Sequence, residues 1–327
     1  MRAWFAAILV VCLLVRIVAA WVWQNYNVQE NFLRFGDSDS YWYLARTIAH
    51  GEPYQYGSVN TQIFRAPLYP IFLAPFAALL PPGESYSWSA VFGARVAGCI
   101  AGTMGVAMLM LLAARLASHS KNRWGQSGEP KSKTVTGLVA VSAGLLATLY
   151  PGAVGMSIFV LSESLFCPLM IAGLGATFFS IVAIERARNT KAIIWMLAAG
   201  VLSGAACLSR PSWSLWPVVM FPYLAWMIWR SEPVAHKLTW GRFRTWILCC
   251  LMFCAGNAAC MSPWWIRNYW VSGTFVPTTL QVGASLYDGW HPGASGSSDE
   301  NMAFVDQFAK EQLDEDRMQQ AAGNRLN

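Results

Sequence analysis

Residues Pro67 to Leu80 read Pro-Leu-Tyr-Pro-Ile-Phe-Leu-Ala-Pro-Phe-Ala-Ala-Leu-Leu. The run is apolar but only fourteen residues long, with prolines at 67, 70 and 75 and two more, Pro81 and Pro82, closing it. A helix that crosses a hydrocarbon core of roughly 30 Å needs about 20 apolar residues. This segment is therefore expected to lie in the interface or to re-enter, not to span. The decision sets the topology, because it fixes the side of the membrane on which every later linker falls.

A membrane is the right frame for the whole chain. Hydrophobic residues make up 55% of the 327 and charged residues only 12%, against about 25% charged in soluble domains. There are 17 tryptophans. A transmembrane β-barrel needs dyad alternation in segments of about ten residues, and none is found. Around the short segment lie longer apolar runs: 1–23, 91–116, 135–150, 164–184, 192–208, 212–229 and 246–265. Val18-Ala19-Ala20 passes for a signal-peptidase site. Arg16 is misplaced for a signal core and many spans follow, so the first run is read as an uncleaved span.

The linkers alternate in charge. Linkers 115–133, 185–191 and 230–244, with the N-terminus, carry thirteen of the 23 lysines and arginines but only three of the 17 acids (Glu129, Glu185, Glu232). The positive-inside rule puts them in the cytoplasm. Seven spans achieve this; an eighth at Pro67–Leu80 would turn linker 115–133 outward. The expected fold is an all-α polytopic membrane protein with about seven transmembrane helices plus outer-face interfacial helices. Its membrane domain covers 1–265, with a first outer loop at about 24–65 and an interfacial segment at 66–82. An outer-face loop and an acidic amphipathic helix, about Asn301 to Gln320, make up 266–327. The localisation expected is the cytoplasmic membrane, with the site on its outer face.

Immediately before the short segment comes Gly36-Asp37-Ser38-Asp39-Ser40-Tyr41-Trp42-Tyr43-Leu44-Ala45. Ser38, Asp39 and Ser40 are N-cap residues, which predicts a helix to about His50. Tyr41, Leu44 and Ile48 share one apolar face, as suits a helix on a membrane surface. Asp37 would stand just ahead of the cap, facing a cleft. With Asp37 on the outer side fall Arg65, Glu163 and Arg210. Charges beside a bilayer are costly and mark candidate sites, and arginine suits phosphate through its bidentate fork. Each also has a plainer reading: capping for the aspartates, a helix-start acid for Glu163, interfacial snorkelling for the arginines. Arg267, inside Pro263-Trp264-Trp265-Ile266-Arg267-Asn268-Tyr269, reads as an interfacial anchor.

Other chemistries are poorly served. All eight cysteines lie in or beside apolar runs without metal-ligand spacing, and the four histidines are scattered. No protein-built metal site is evident, no cofactor is required, and a divalent metal is left open. There is no nucleotide-binding glycine loop, nucleic-acid patch or internal repeat. Gly98-x-x-x-Gly102 inside a span is a weak helix-packing signal.

Taken in order, these motifs resemble a known family. Asp37-Ser38, Tyr41 and Leu44-Ala45 after a first span, then Arg65-Ala66-Pro67-Leu68-Tyr69-Pro70, look like the polytopic glycosyltransferases of the C-type fold. More narrowly, the chain is similar to the bacterial branch named after dolichyl-phosphate-mannose–protein mannosyltransferases and the lipid A aminoarabinose transferase. Tyr150-Pro151 with Ser162-Glu163, Arg210-Pro211-Ser212, and Arg267-Asn268-Tyr269 through Gly273 to Pro277 extend the resemblance over nearly the whole chain. It implies transfer of a sugar from a polyprenyl-phosphate carrier to a glycolipid, polysaccharide or protein acceptor, among membrane lipids and without nucleic acid. The acid–base position falls at Asp37 rather than Asp39, its neighbouring candidate, and the second acidic position at or near Glu163. Arg65, with Arg210, would hold the carrier phosphate, and Tyr41 and Tyr69 would line the cleft. Family members usually continue with further spans, so a chain stopping at Asn327 is expected to be a fragment or a shortened member.

The chemistry asks for little more. Prenyl phosphate is a leaving group stable as an anion. A base must take the proton of the acceptor hydroxyl, and cations must meet the charge growing on the phosphate. The rivals are a transporter or flippase, with charges at broken helices in mid-span and repeat symmetry, and an inactive membrane scaffold.

Overall fold

The computed structural model describes residues 2–27, 32–56, 62–81, 84–123, 133–230, 240–290 and 294. Those residues are helical with no strand among them. In chain order the helices are α1 (Arg2–Tyr26), α2 (Gly36–His50), α3 (Leu68–Ala77), α4 (Trp88–Arg123), α5 (Lys133–Leu149) and α6 (Pro151–Ile158). After them come α7 (Glu163–Glu185), α8 (Asn189–Ser209), α9 (Trp216–Arg230), α10 (Trp240–Ser272) and α11 (Gln281–Trp290), with a 3₁₀ turn at Pro211–Leu215 before α9. The amphipathic helix expected at 301–320 lies outside the described residues.

The environment is written on α1. Val10, Leu14, Val18 and Val22 recur every four residues and are each more than half exposed. Two positions out of step, about 200° around the helix, Ile8, Cys12, Arg16, Ala20 and Gln24 are buried. Apolar groups outward and Arg16 and Gln24 inward is the reverse of a water-facing helix. Lipid is the solvent that stabilises this arrangement. The protein is a multi-pass, membrane-embedded helical protein.

Among the described residues five helices are long and apolar enough to cross: α1, α4, α7, α8 and α10. A sixth crossing arises if α5 and α6, bent by 60°, are taken together. The remaining expected span, 212–229, corresponds to α9, which has 15 residues. The break between α5 and α6 has a local cause. Tyr150 precedes Pro151, whose ring disfavours helical backbone at the residue before it, and Tyr150 sits at φ −69°, ψ 113°. Residues 151–158, which fall between the expected runs 135–150 and 164–184, are therefore a helix of their own. Broken helices expose carbonyls inside the fold, and two buried arginines meet them. Arg16 donates through Nη2 to the Ala147 carbonyl (3.3 Å) and through Nε to Ser157 Oγ (3.1 Å). Arg95 donates to the carbonyls of Ile158 and Phe32 and, through Nε, to Gln24 Oε1 (2.6 Å).

Small residues let the long helices touch backbone to backbone. A Cβ at Gly200 of α8 would run into the Phe253 carbonyl oxygen, and one at Gly256 of α10 into the Leu197 carbonyl oxygen. On α4, Gly98 lies against the Ser157 carbonyl of α6 and Gly102 against the Ser157 side chain. Met196, Met220, Leu224 and Phe253 fill the core among α8, α9 and α10.

The short segment behaves as its prolines require. Only Leu68–Ala77 is helical, too short to cross. It packs beside α2, so Tyr41, Trp42, Tyr69, Leu73 and Val91 form a second core between α2, α3 and α4. Two expectations for α2 are corrected. Its helix begins at Gly36, with Phe35 at the N-cap and no side-chain cap, so neither Asp39 nor the serines cap it. Asp37 stands inside the first turn and not ahead of it. The face of Tyr41 and Leu44 is covered by protein, not left bare for a membrane surface. The helix ends where expected, at His50, with Gly51 in the left-handed conformation (φ 71°).

Candidate functional site

Glu163 opens α7, Arg210 follows the end of α8, and Asp37 opens α2, so three separate helix ends deliver three charges to the same end of the bundle. Arg65 joins them from the loop ahead of α3. Together with Tyr41, Ser162, Ser209 and Thr279 they line one cavity of about 350 Å³.

The charges are arranged as two acid–arginine pairs. Arg65 Nη2 donates to Asp37 Oδ1 at 2.5 Å. Arg210 Nη1 donates to Glu163 Oε1. The first pair is asymmetric: the Arg65 side chain is 8% exposed and that of Asp37 53%. Arg65 is held by what surrounds it. Its guanidinium lies over Tyr41 (5.2 Å) and Phe64 (5.6 Å), and the Tyr54 hydroxyl stands 3.2 Å from the carbonyls of both Arg65 and Ala66. Burial pushes the Tyr54 phenol up, reinforced by Tyr41, against a smaller opposing effect of Arg267 and Arg65; the hydroxyl stays protonated and donates. Burial also works against the Arg65 charge, but Asp37 with Tyr41 and Tyr56 outweighs it and holds the guanidinium above its ordinary value.

Not every donor is used. Arg65 Nε and Thr279 Oγ1 are buried and have no hydrogen-bond partner among the described residues. Asp37 Oδ2 likewise has no side-chain partner among them. Buried polar atoms without partners cost free energy, and each calls for an explanation. Here the two buried donors belong to residues lining one cavity, where the half-exposed Asp37 carboxylate also opens.

The remaining expected residues lie elsewhere. Tyr69 is buried (2% exposed) and packs edge-on behind Tyr41 at 5.1 Å; it supports the wall and does not line the cavity. Asp39 accepts from the Tyr86 hydroxyl at 3.2 Å, outside the cavity. Burial raises its carboxyl above the usual range, partly offset by that hydrogen bond. Arg267, expected as an interfacial anchor, fastens the first loop to α10: Nη1 donates to the Gln62 carbonyl at 2.6 Å, and the guanidinium lies over Trp264 (4.8 Å) and Tyr54 (5.3 Å).

Sequence reasoning missed Ser162, Ser209, Thr279 and Gln281. Thr279 reaches the cavity because the chain after α10 folds back. Asn268 Nδ2 donates to the Val276 carbonyl (3.1 Å), Trp264 Nε1 to that of Thr278 (2.7 Å), and Leu280 N to that of Ile63 (3.2 Å). The one available signal was Pro277-Thr278-Thr279 following the Arg267-Asn268-Tyr269 motif. Compared with known proteins, the chain matches no family model, no curated protein and no solved structure.

Proposed function

We propose that the protein is a membrane glycosyltransferase of the C-type group with seven spans, α5–α6 and α9 supplying the two crossings beyond the five long helices. It would move a sugar from a polyprenyl-phosphate carrier to an acceptor hydroxyl at the outer face of the cytoplasmic membrane. One observation carries the reading: Asp37–Arg65 and Arg210–Glu163, drawn from four segments of the chain, are paired around a single cavity at one end of the helix bundle.

The roles follow from charge. A prenyl phosphate entering the cavity competes with the carboxylates for Arg65 and Arg210, and arginine meets phosphate oxygens in a fork. Arg65 Nε and Thr279 Oγ1 are donors already without partners. As Arg65 turns to the phosphate, Asp37 is released from its ion pair and its carboxylate is free to accept a hydrogen bond from the acceptor hydroxyl. The acceptor oxygen then attacks the anomeric carbon, the bond from that carbon to the phosphate oxygen breaks, and the proton passes to Asp37. Prenyl phosphate leaves as the anion, and a single displacement inverts the sugar. Glu163 holds Arg210 in place for the phosphate. No step calls for a metal.

The transporter reading has one observation in its favour: a helix broken by 60° at α5–α6, with Arg16 bonded across the break. One experiment separates the two. Purified protein is given a radiolabelled prenyl-phosphate sugar and a membrane extract as acceptor source, and in parallel is placed in proteoliposomes carrying the same lipid. The transferase reading expects label on a new acceptor, lost in Asp37→Asn. Movement of the intact lipid between leaflets with no transfer would replace it with the transporter.

A further inference from the structure

A second polar cavity, of about 420 Å³, sits at the opposite ends of α7 and α8. Along α7 that is about 33 Å from Glu163, at 1.5 Å rise per residue, so the two sites face opposite sides of a bilayer. Arg115 enters it from α4, Arg186 and Arg188 from the turn after α7, and Lys191 from the first turn of α8. Phe179 and Trp195 form an aromatic wall, ring centroids 5.0 Å apart, and Arg115 lies 5.9 Å over Phe179.

The charge balance is one-sided. Glu185, the nearby acid, is bonded to His119 at 2.9 Å. No carboxylate lines the cavity among the described residues, and none of the four cations makes an ion pair among them. The positive-inside bias accounts for cations at this end of the bundle. It does not account for their lining one cavity together with an aromatic wall, from α4, the turn after α7 and the first turn of α8. All four are exposed, so solvent screens their mutual repulsion, and an anion in the cavity meets all of them at once. Arginine forks and the N-terminal N–H groups of α8 select phosphate, and the aromatic wall suits the glycerol and upper acyl region of a lipid. Basic pockets between transmembrane helices on the cytoplasmic side are where anionic headgroups dock.

We propose that this pocket binds the phosphate of an anionic phospholipid headgroup, in the leaflet opposite the candidate catalytic site. The inference stands on its own residues and does not depend on the transferase reading.

The test is native mass spectrometry of the full chain from micelles doped with phosphatidylglycerol or phosphatidylcholine. The variants are Arg186→Gln/Arg188→Gln, the milder Lys191→Gln, and Arg34→Gln as a cation removed from elsewhere. The expected result is one retained phosphatidylglycerol per chain, weakened about tenfold or more in the double variant, as losing charge-assisted hydrogen bonds implies. Lys191→Gln, at an exposed helix start, should weaken it in the same direction and keeps the test available if the double variant does not fold. Arg34→Gln and phosphatidylcholine should show no such change. Equal loss in Arg34→Gln, or no loss in the pocket variants, overturns the site. Displacement of phosphatidylglycerol by inorganic phosphate, with the same dependence on Arg186 and Arg188, overturns the lipid as the source and assigns a soluble phosphate instead.

Discussion

Asp37→Asn separates chemistry from architecture because the proposed mechanism gives the carboxylate two jobs. Oδ1 pairs with Arg65 at 2.5 Å, and Oδ2 has no side-chain partner among the described residues. Asn is nearly isosteric, and its carbonyl oxygen still accepts from Arg65. The Asp37 side chain is half exposed (53%), so the ion pair is screened and its loss should destabilise the fold by less than about 1 kcal/mol. Arg65 keeps its stacking on Tyr41 and Phe64. Proton uptake is what disappears. General-base catalysis is worth about 10²–10⁴-fold, or about 2.7–5.5 kcal/mol of barrier at about 1.4 kcal/mol per tenfold. That exceeds anything the stability change can produce. The assay is sugar transfer from a prenyl-phosphate donor by purified, monodisperse protein, with the thermal unfolding midpoint recorded alongside. Turnover should fall by that factor at an unchanged midpoint, and Asp39→Asn should stay within a few-fold of wild type. An Asp37→Asn enzyme within a few-fold of wild type would refute the assignment. A dead Asp39→Asn beside it would move the base two residues along, despite its place against Tyr86.

Removing a phosphate partner should act on the donor: Arg65→Ala or Arg210→Ala should raise the half-saturating donor concentration about 10- to 150-fold, from about 1.5–3 kcal/mol per charge-assisted hydrogen bond, and unchanged titration curves for both would place the phosphate elsewhere. Asp39, raised by burial, contributes stability below about pH 4, the unfolded carboxylate value, and loses it as pH rises through the higher folded value. Asp39→Asn, neutral throughout, should therefore gain on wild type in unfolding midpoint between about pH 4 and pH 7; a relative loss over that range contradicts the shift. Gly200→Val should lower the unfolding midpoint by overpacking α8 on α10, with Gly175→Ala, which meets nothing within 4 Å, as the silent comparison; a silent Gly200→Val would mean the helices do not touch there. On a cysteine-free background, Glu52→Cys should react with an impermeant thiol reagent from outside the cell and Thr190→Cys only after permeabilisation; outside labelling at 190 inverts the topology.

What could be read from residues alone follows a physical line. The grouping of the charges was legible because lysines and arginines are counted by linker, and that count needs no tertiary structure. It drew Asp37, Arg65, Glu163 and Arg210 to one end, and the structure brings all four around one cavity. The failure of Pro67–Leu80 to span was legible because its prolines limit helix length locally, and the helix stops at ten residues. The start of α2 was not legible. Capping rules treat an early carboxylate as belonging to its own helix, whereas Asp37 belongs to Arg65, 28 residues away. Asp39 then turns to Tyr86, and no local rule names either partner.

The two in-span arginines mark the same limit from the other direction. Read singly, Arg16 and Arg95 are intrusions into apolar runs, and intrusions of that kind are expected to be functional. The fold gives them a prior employment. Pro151 takes Tyr150 out of helical conformation, Arg16 bonds to the Ala147 carbonyl beside that break, and Arg95 bonds to the Ile158 carbonyl at the far end of the short helix α6. A proline and two arginines, spread from position 16 to position 151, make one structural device. Its parts are visible in the chain, but only packing reveals that they belong together. Arg95 also bonds to Phe32, three residues before the N-cap of α2. The device therefore reaches the segment that presents Asp37, and the broken span supports the floor on which the candidate site is built.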